Sequence, residues 1–222
     1  MKNKNIAVSI YALIVASLIL LNAGMLLAPV FALVGNDAAA AFLYNTYSVQ
    51  GHQWIYRSLC VFEGEGGISV GECIPKGKEA DSKVYTKFTN SAKNWDGQFE
   101  YGREQIARNR AEVVQRDGMI GYKIGACARN TAIYLGLLIG ALALPFVRKI
   151  EDVKWPPRWI LIAAMVPVGI DGTGQMMGLW ESTDLSRIIT GAIVGIAMPF
   201  YLIPIGIEIF QSIFPGKKGG KK

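Results

Sequence analysis

Cysteine and histidine are scarce in this chain, with three of the first and one of the second. Three cysteines (Cys60, Cys73 and Cys127) with no CxxC pair exclude a disulfide scaffold. The lone histidine, His52, stands at no standard zinc spacing from them. Charge is sparse too: Asp, Glu, Lys and Arg make up 18% of the residues, where soluble domains carry about a quarter. No phosphate-cradling glycine loop, serine elbow or paired acidic metal motif occurs, so no enzyme class is indicated, and the cofactor stays unknown. The net charge of +6 is not gathered into one patch but lies beside apolar blocks, which argues against a nucleic-acid face.

Long apolar runs are what the chain has in quantity. Ile6 to Val34, Ala126 to Val147, Trp159 to Leu179 and Ile188 to Phe214 are each long enough to cross a bilayer. The first is too long for a typical secretory signal, although a cleaved signal is the alternative. Pro29 distorts the first helix, and Pro199 and Pro204 bend the last. The sequence therefore predicts an all-α integral membrane protein with four transmembrane helices. An extracytoplasmic helical insertion lies between the first and second of them. The expected divisions are 1–34 for the first span, 35–122 for the insertion, 123–214 for a three-helix bundle and 215–222 for a basic tail.

Basic residues orient this arrangement. Lys2 and Lys4, then Arg148, Lys149, Lys154 and Arg158, then the four tail lysines all fall on one side of a four-span topology. The positive-inside rule makes that side cytoplasmic, with both termini inside a cell membrane. Cys60 and Cys73 then lie outside, where a disulfide is allowed; two free thiols or metal ligation are the alternatives. Within the insertion, Asp37 is placed to cap a short helix. From Asp81 onward, Val84, Phe88, Ala92, Trp95, Phe99, Ile106 and Val113 form an apolar stripe that predicts one long or two shorter amphipathic helices. Such helices rest on the bundle as a solvated cap, or dock on lipid or a partner.

Polar residues inside the apolar runs point to function. Asp171 and Gln175 share one face of the third span, and a carboxylate at that depth costs roughly 3 kcal/mol. At about 1.5 Å rise per residue, Asp171 lies roughly 18 Å above Trp159, nearly level with Tyr134 of the second span. Arg129 lies higher and reaches inward. A cluster of Arg129, Tyr134, Asp171 and Gln175, capped by His52 and Arg57, is feasible. It is either a buried ion pair that fixes helix register or a site for a small ligand, ion or metal. His52 is a hydrogen-bonded loop residue or, with Cys127, part of a soft metal site. Gly136-xxx-Gly140 and Gly191-xxx-Gly195 read as helix contacts.

Three blocks carry a family resemblance. They are Gly51-His52-Gln53 with Arg57-Ser58; Cys127-Ala128-Arg129-Asn130-Thr131 with Tyr134 and Gly136; and Asp171-Gly172 with Gln175, Gly178, Arg187, Thr190 and Gly191. Together they resemble a family of prokaryotic polytopic membrane proteins catalogued as a domain of unknown function. Gly51 and Asn130 stand where that family carries cysteines, and residues 75–120 separate blocks that lie close together in it. The resemblance implies a compact helical membrane fold with His52, Arg57, Arg129, Tyr134, Asp171, Gln175 and Arg187 gathered on the outer side. It implies no activity. Expected partners are membrane lipids, and membrane proteins or further copies of the chain. Three functions stay open: a ligand-binding protein, an accessory subunit of a membrane complex, and an enzyme acting on a lipid head group.

Overall fold

The computed structural model describes residues 2–48, 54–78, 81–88, 97–98 and 111–213. The chain divides into two compact units. A helical unit takes the described residues of 1–21, 132–181 and 189–222; a sheet unit takes those of 22–131 and 182–188.

Among the described residues four stretches are long and apolar enough to cross a membrane: Asn5–Leu33, Ala128–Val147, Arg158–Met176 and Asp184–Ile213. They correspond to helix α1 (Lys2–Leu33), α3 (Ala128–Val147), α4 (Arg158–Met176) and a final pair, α5 (Asp184–Ala197) and α6 (Pro199–Ile213). The last span breaks because Pro199 has no N–H for the Gly195 carbonyl and its ring crowds that turn. The Met198 N–H closes α5 on the Val194 carbonyl, and Pro199 opens α6, a position that needs no donor.

In the helical unit, Ala7 of α1, Ala141 and Leu144 of α3, and Ile203 and Ile207 of α6 form one buried cluster. The Tyr11 hydroxyl donates to the Ala141 carbonyl at 3.1 Å. Helices α3 and α5 meet backbone to backbone. A Cβ on Gly136 would stand 3.0 Å from the Ala192 carbonyl oxygen, and one on Gly195 would stand 2.5 Å from that of Ile133. The paired small residues thus do what GxxxG faces do in membranes, letting helices approach without side chains between them. Helix α4 is attached differently. Only Ala164, Asp171 and Gly174 of it are buried, one narrow stripe at helical spacing. Trp159, Ile162, Met165 and Ile170 are exposed, as apolar residues facing lipid are. The helix ends at Gly178, in the left-handed region at φ 71°. There the N–H of Leu179 bonds Gly174 and that of Gly178 bonds Gln175, the double closure that glycine permits.

The sheet unit corrects the all-α expectation. Its six antiparallel strands run in the order β2-β1-β6-β5-β3-β4: β1 (Leu59–Gly64), β2 (Gly67–Glu72), β3 (Lys83–Tyr85), β4 (Gly97–Gln98), β5 (Val113–Arg116) and β6 (Met119–Lys123). The expected amphipathic helices fail where the chain is described. Val84 lies in β3 and Val113 in β5, and the stripe residues Ala92, Trp95, Phe99 and Ile106 lie outside the described residues. The physical reason is visible between β5 and β6. Asp117 and Gly118 both take positive φ, 50° and 75°, and close a two-residue turn with Arg116 opposite Met119. That turn matches the strand twist and drives alternating residues into a hairpin.

The strands bury side chains on both faces. On one face Cys60, Phe62, Val84 and Val114 pack with Ile55, Cys73 and Ile74. Phe62 lies directly on Gly121, where a Cβ would strike its ring. On the other face Val113, Tyr85 and Tyr122 pack against Ala28 and Ala32 of α1 and Ala40 and Tyr44 of α2 (Asp37–Ser48). The cap of α2 is Asn36, whose Oδ1 accepts the Ala39 N–H at 3.2 Å, and not Asp37, which lies in the first turn. The buried Tyr44 hydroxyl donates to the Lys123 carbonyl at 2.6 Å. Burial first, then Glu112 and Tyr122, raises that phenol well above its ordinary value, so it remains a neutral donor.

Cys60 of β1 is bonded to Cys73, just past β2. The two cysteines are separated by 13 residues, a loop whose release is expected to cost the sheet unit about 3 kcal/mol. A Cys60→Ser/Cys73→Ser variant should therefore unfold at clearly lower temperature than wild type in detergent. An unchanged midpoint would show that packing alone holds this edge.

Candidate functional site

The site grows from the first turn of α5. Thr183 caps it, its Oγ1 accepting the Ser186 N–H at 3.1 Å. Asp184 and Arg187 follow at a spacing of three, so both project from one face of that turn. Arg187 Nη1 donates to Asp184 Oδ1 at 3.0 Å, and each side chain is only 4% exposed. Taking two charges out of water costs more than the pair returns unless the remaining lone pairs are satisfied. Here one is not: Asp184 Oδ2 is buried with no hydrogen-bond partner among the described residues.

Arg57 and Glu72 belong to the same unit as that carboxylate. Arg57 ends a short 3-10 turn, Ile55–Arg57. Its guanidinium carbon lies 4.3 Å from the Trp54 ring centroid and 4.8 Å from that of Tyr56. A guanidinium over two aromatic faces keeps its planar fork and its charge. Ser58 fixes the turn, its hydroxyl donating to the Trp54 carbonyl at 2.7 Å. The Ser58 carbonyl accepts the Cys73 N–H at 2.9 Å. The disulfide therefore ties the segment carrying Arg57 to the strand end carrying Glu72.

The sequence-predicted residues separate into two groups. Arg57, Arg129 and Arg187 belong to the sheet unit; Tyr134, Asp171 and Gln175 belong to the helical unit. Asp171 is buried at 8% exposure on the inner stripe of α4, and none of these six residues stands without a partner. His52 lies outside the described residues. Cys127 is a half-buried free thiol, and no three His, Cys, Asp or Glu residues among those described are grouped to hold a metal ion.

Asp184, Glu72 and Trp54 were not anticipated. An apolar run taken from Ile188 leaves Asp184 outside the last span, whereas α5 already starts there. The signal was present: Thr183 as cap, then acid and base three apart in the first turn.

Residues 119–201 match the family described as predicted membrane protein (DUF2085). That stretch runs from β6 through α3, α4 and α5 into α6, so it includes Arg129, Asp171, Asp184 and Arg187. Two uncharacterized archaeal proteins are similar to the chain. One, from Methanocaldococcus jannaschii, is 43% identical over 104 residues, 46% of this chain and 67% of the relative. The other, from Methanothermobacter thermautotrophicus, is 34% identical over 83 residues, 35% of this chain and 68% of the relative. No solved structure matches. With blocks of the same kind carried on four apolar spans, the chain belongs to the DUF2085 family of predicted membrane proteins.

Proposed function

We propose that this membrane protein binds a small polar ligand at the Arg57–Asp184–Arg187 cluster, on the extracytoplasmic side. One observation carries the reading: a buried carboxylate oxygen, Asp184 Oδ2, accepts nothing from the described residues although Arg187 is bonded to the same carboxylate. Buried polar atoms are normally satisfied, and the exceptions call for a water, an ion or a ligand. The side is argued from the charges. Arg148, Lys149 and Lys154 occupy the α3–α4 connection and Arg158 opens α4, an end that the positive-inside rule assigns to the cytoplasm. The start of α5 is then at the opposite surface, as is the Cys60–Cys73 bridge, in a compartment that permits it. Arg129, of the same unit, is its remaining candidate member.

The test is native mass spectrometry of the protein released from gently solubilised membranes. Wild type should carry a small co-purifying mass. Asp184→Asn, of nearly the same shape, should lose it; its unfolding temperature should fall less than that of Asp184→Ala, because the amide oxygen still accepts from Arg187. Equal retention by both proteins would overturn the reading.

A second reading is a subunit of a larger membrane assembly. It is favoured by the edge strand β2, on which Ile68 and Val70 are exposed; apolar open edges invite pairing. A native gel of source membranes decides: fixed companions would support it, and a band of this chain alone would remove it.

A further inference from the structure

Strand β2 leaves one row of backbone groups open, and the inference drawn from it rests on the assembly reading above. The strand has a neighbour on one side only. Two bonds show which of its groups face outward. The Cys73 N–H donates to the Ser58 carbonyl, and the Ile124 N–H to the Leu59 carbonyl. Even residues of β1 therefore bond toward β2 and odd ones toward β6, because backbone groups alternate sides along a strand. In the observed register Gly67, Ser69 and Gly71 bond to β1, and Ile68 and Val70 turn N–H and C=O outward. From Gly67 to Gly71 there is no Lys, Pro or bulge, the guards that natural edges use.

The side chains suit an added strand. Val70, Val61, Tyr122, Val113 and Tyr85 form one row across the sheet. Helices α1 and α2 cover its Tyr122–Tyr85 end, while Val70 and its neighbour Ile68 remain 65% and 72% exposed. The Cys60–Cys73 bridge holds this hairpin in shape, so an incoming strand meets a preformed edge.

Charge selects the occupant. Glu63 stands opposite Ile68, Glu65 lies in the hairpin turn and Glu72 ends β2. None of the three is in an ion pair among the described residues. A second copy paired edge to edge would set two acidic triads together, and an anionic lipid surface would meet the same repulsion. We infer that β2 docks an extended segment of a partner protein, apolar at alternate positions and basic at its ends. Ile68 and Val70 supply the backbone bonds and the apolar contacts, and the three carboxylates meet the basic ends.

The experiment uses the full chain in mild detergent. The probe is the peptide Lys-Val-Thr-Val-Thr-Val-Lys, with Glu at both ends in the control. The basic peptide should slow hydrogen exchange at the Ile68 and Val70 amides. It should bind about tenfold tighter than the acidic one, since exposed attractions become repulsions, and the difference should shrink in about 1 M salt. Val70→Pro removes an outward N–H and no bond to β1, a change that edge strands tolerate, and should abolish binding. If that variant misfolds, the two peptides on wild type still decide.

Equal binding of both peptides, or binding that leaves the β2 amides unprotected, would overturn the inference. So would a wild-type dimer that takes no peptide and that Val70→Pro makes monomeric, which would give the edge to a second copy. If no peptide binds but the native gel still shows fixed companions, the inference fails and the assembly reading survives. If the companions are also missing, both fail.

Discussion

Asp184→Ala should destabilise the sheet unit by about 3–5 kcal/mol, because it leaves Arg187 charged and buried without the carboxylate it donates to. For a chain of this size that is a fall of very roughly 10 °C or more in unfolding temperature. Removing both charges should be far milder. In Asp184→Leu/Arg187→Met the buried cation is gone as well and apolar volume replaces the pair, a change that has often proved neutral for buried pairs. The measurement is a double-mutant cycle by thermal unfolding in detergent, with both single variants and the double. Additive losses would mean that the pair is not coupled and that the 3.0 Å contact carries little energy. Strong coupling combined with ligand loss in Asp184→Asn would separate two roles of one carboxylate: Oδ1 holds the helix start, and Oδ2 meets the ligand.

Gly140→Leu should break the α3–α5 contact. A Cβ there would run into the Ile196 backbone carbonyl, with further Ile196 atoms 3.0 and 3.1 Å away. Backbone cannot turn aside as a flexible side chain can, so the helices must part. Overpacking usually costs 1–3 kcal/mol; against two backbones the expected loss is at least about 3 kcal/mol, with Gly195→Val similar because Ile133 O stands 2.5 Å from its Cβ position. Gly169 and Gly206 are internal controls, helical glycines with nothing within 4 Å of a built Cβ. Alanine at either should be neutral or slightly stabilising, since helical glycine costs about 1 kcal/mol relative to alanine. If Gly140→Leu unfolds at the temperature of Gly206→Ala, close backbone packing is not what holds these spans.

How far this protein is legible in its residues depends on the range of the interaction concerned. Crossing a bilayer is a local property: about twenty consecutive apolar residues suffice, whatever the rest of the chain does. The four spans were therefore readable, and so were the small-residue faces of α3 and α5, because a stripe at spacing four is local as well. The break in the last span followed from Pro199, although a bend was expected where the structure has two helices.

The sheet is a different case. Its strands are two to six residues long, and too short for periodicity to tell strand from helix. Val84 and Phe88, four apart, fit a helical stripe equally well. What settles them is pairing: Val84 lies opposite Val114, and Val114 opposite Gly121. Such partners are set by long-range register and burial on two faces. One local signal is present in the sequence, Asp117-Gly118 between alternating residues.

The site divides in the same way. Arg129 reads from the sequence as part of an intramembrane cluster and Arg57 as its cap, while Arg187 enters through the family resemblance. Which charges meet is decided by the tertiary structure alone. It gives Arg187 to Asp184 within one helical turn and fixes the turn that carries Arg57 to the sheet edge through Ser58 and Cys73. Membrane residence was thus determined by the sequence, because water excludes apolar length regardless of context. The identity of the polar cluster was decided only in three dimensions, because a charge takes whichever partner the fold brings within a few ångströms.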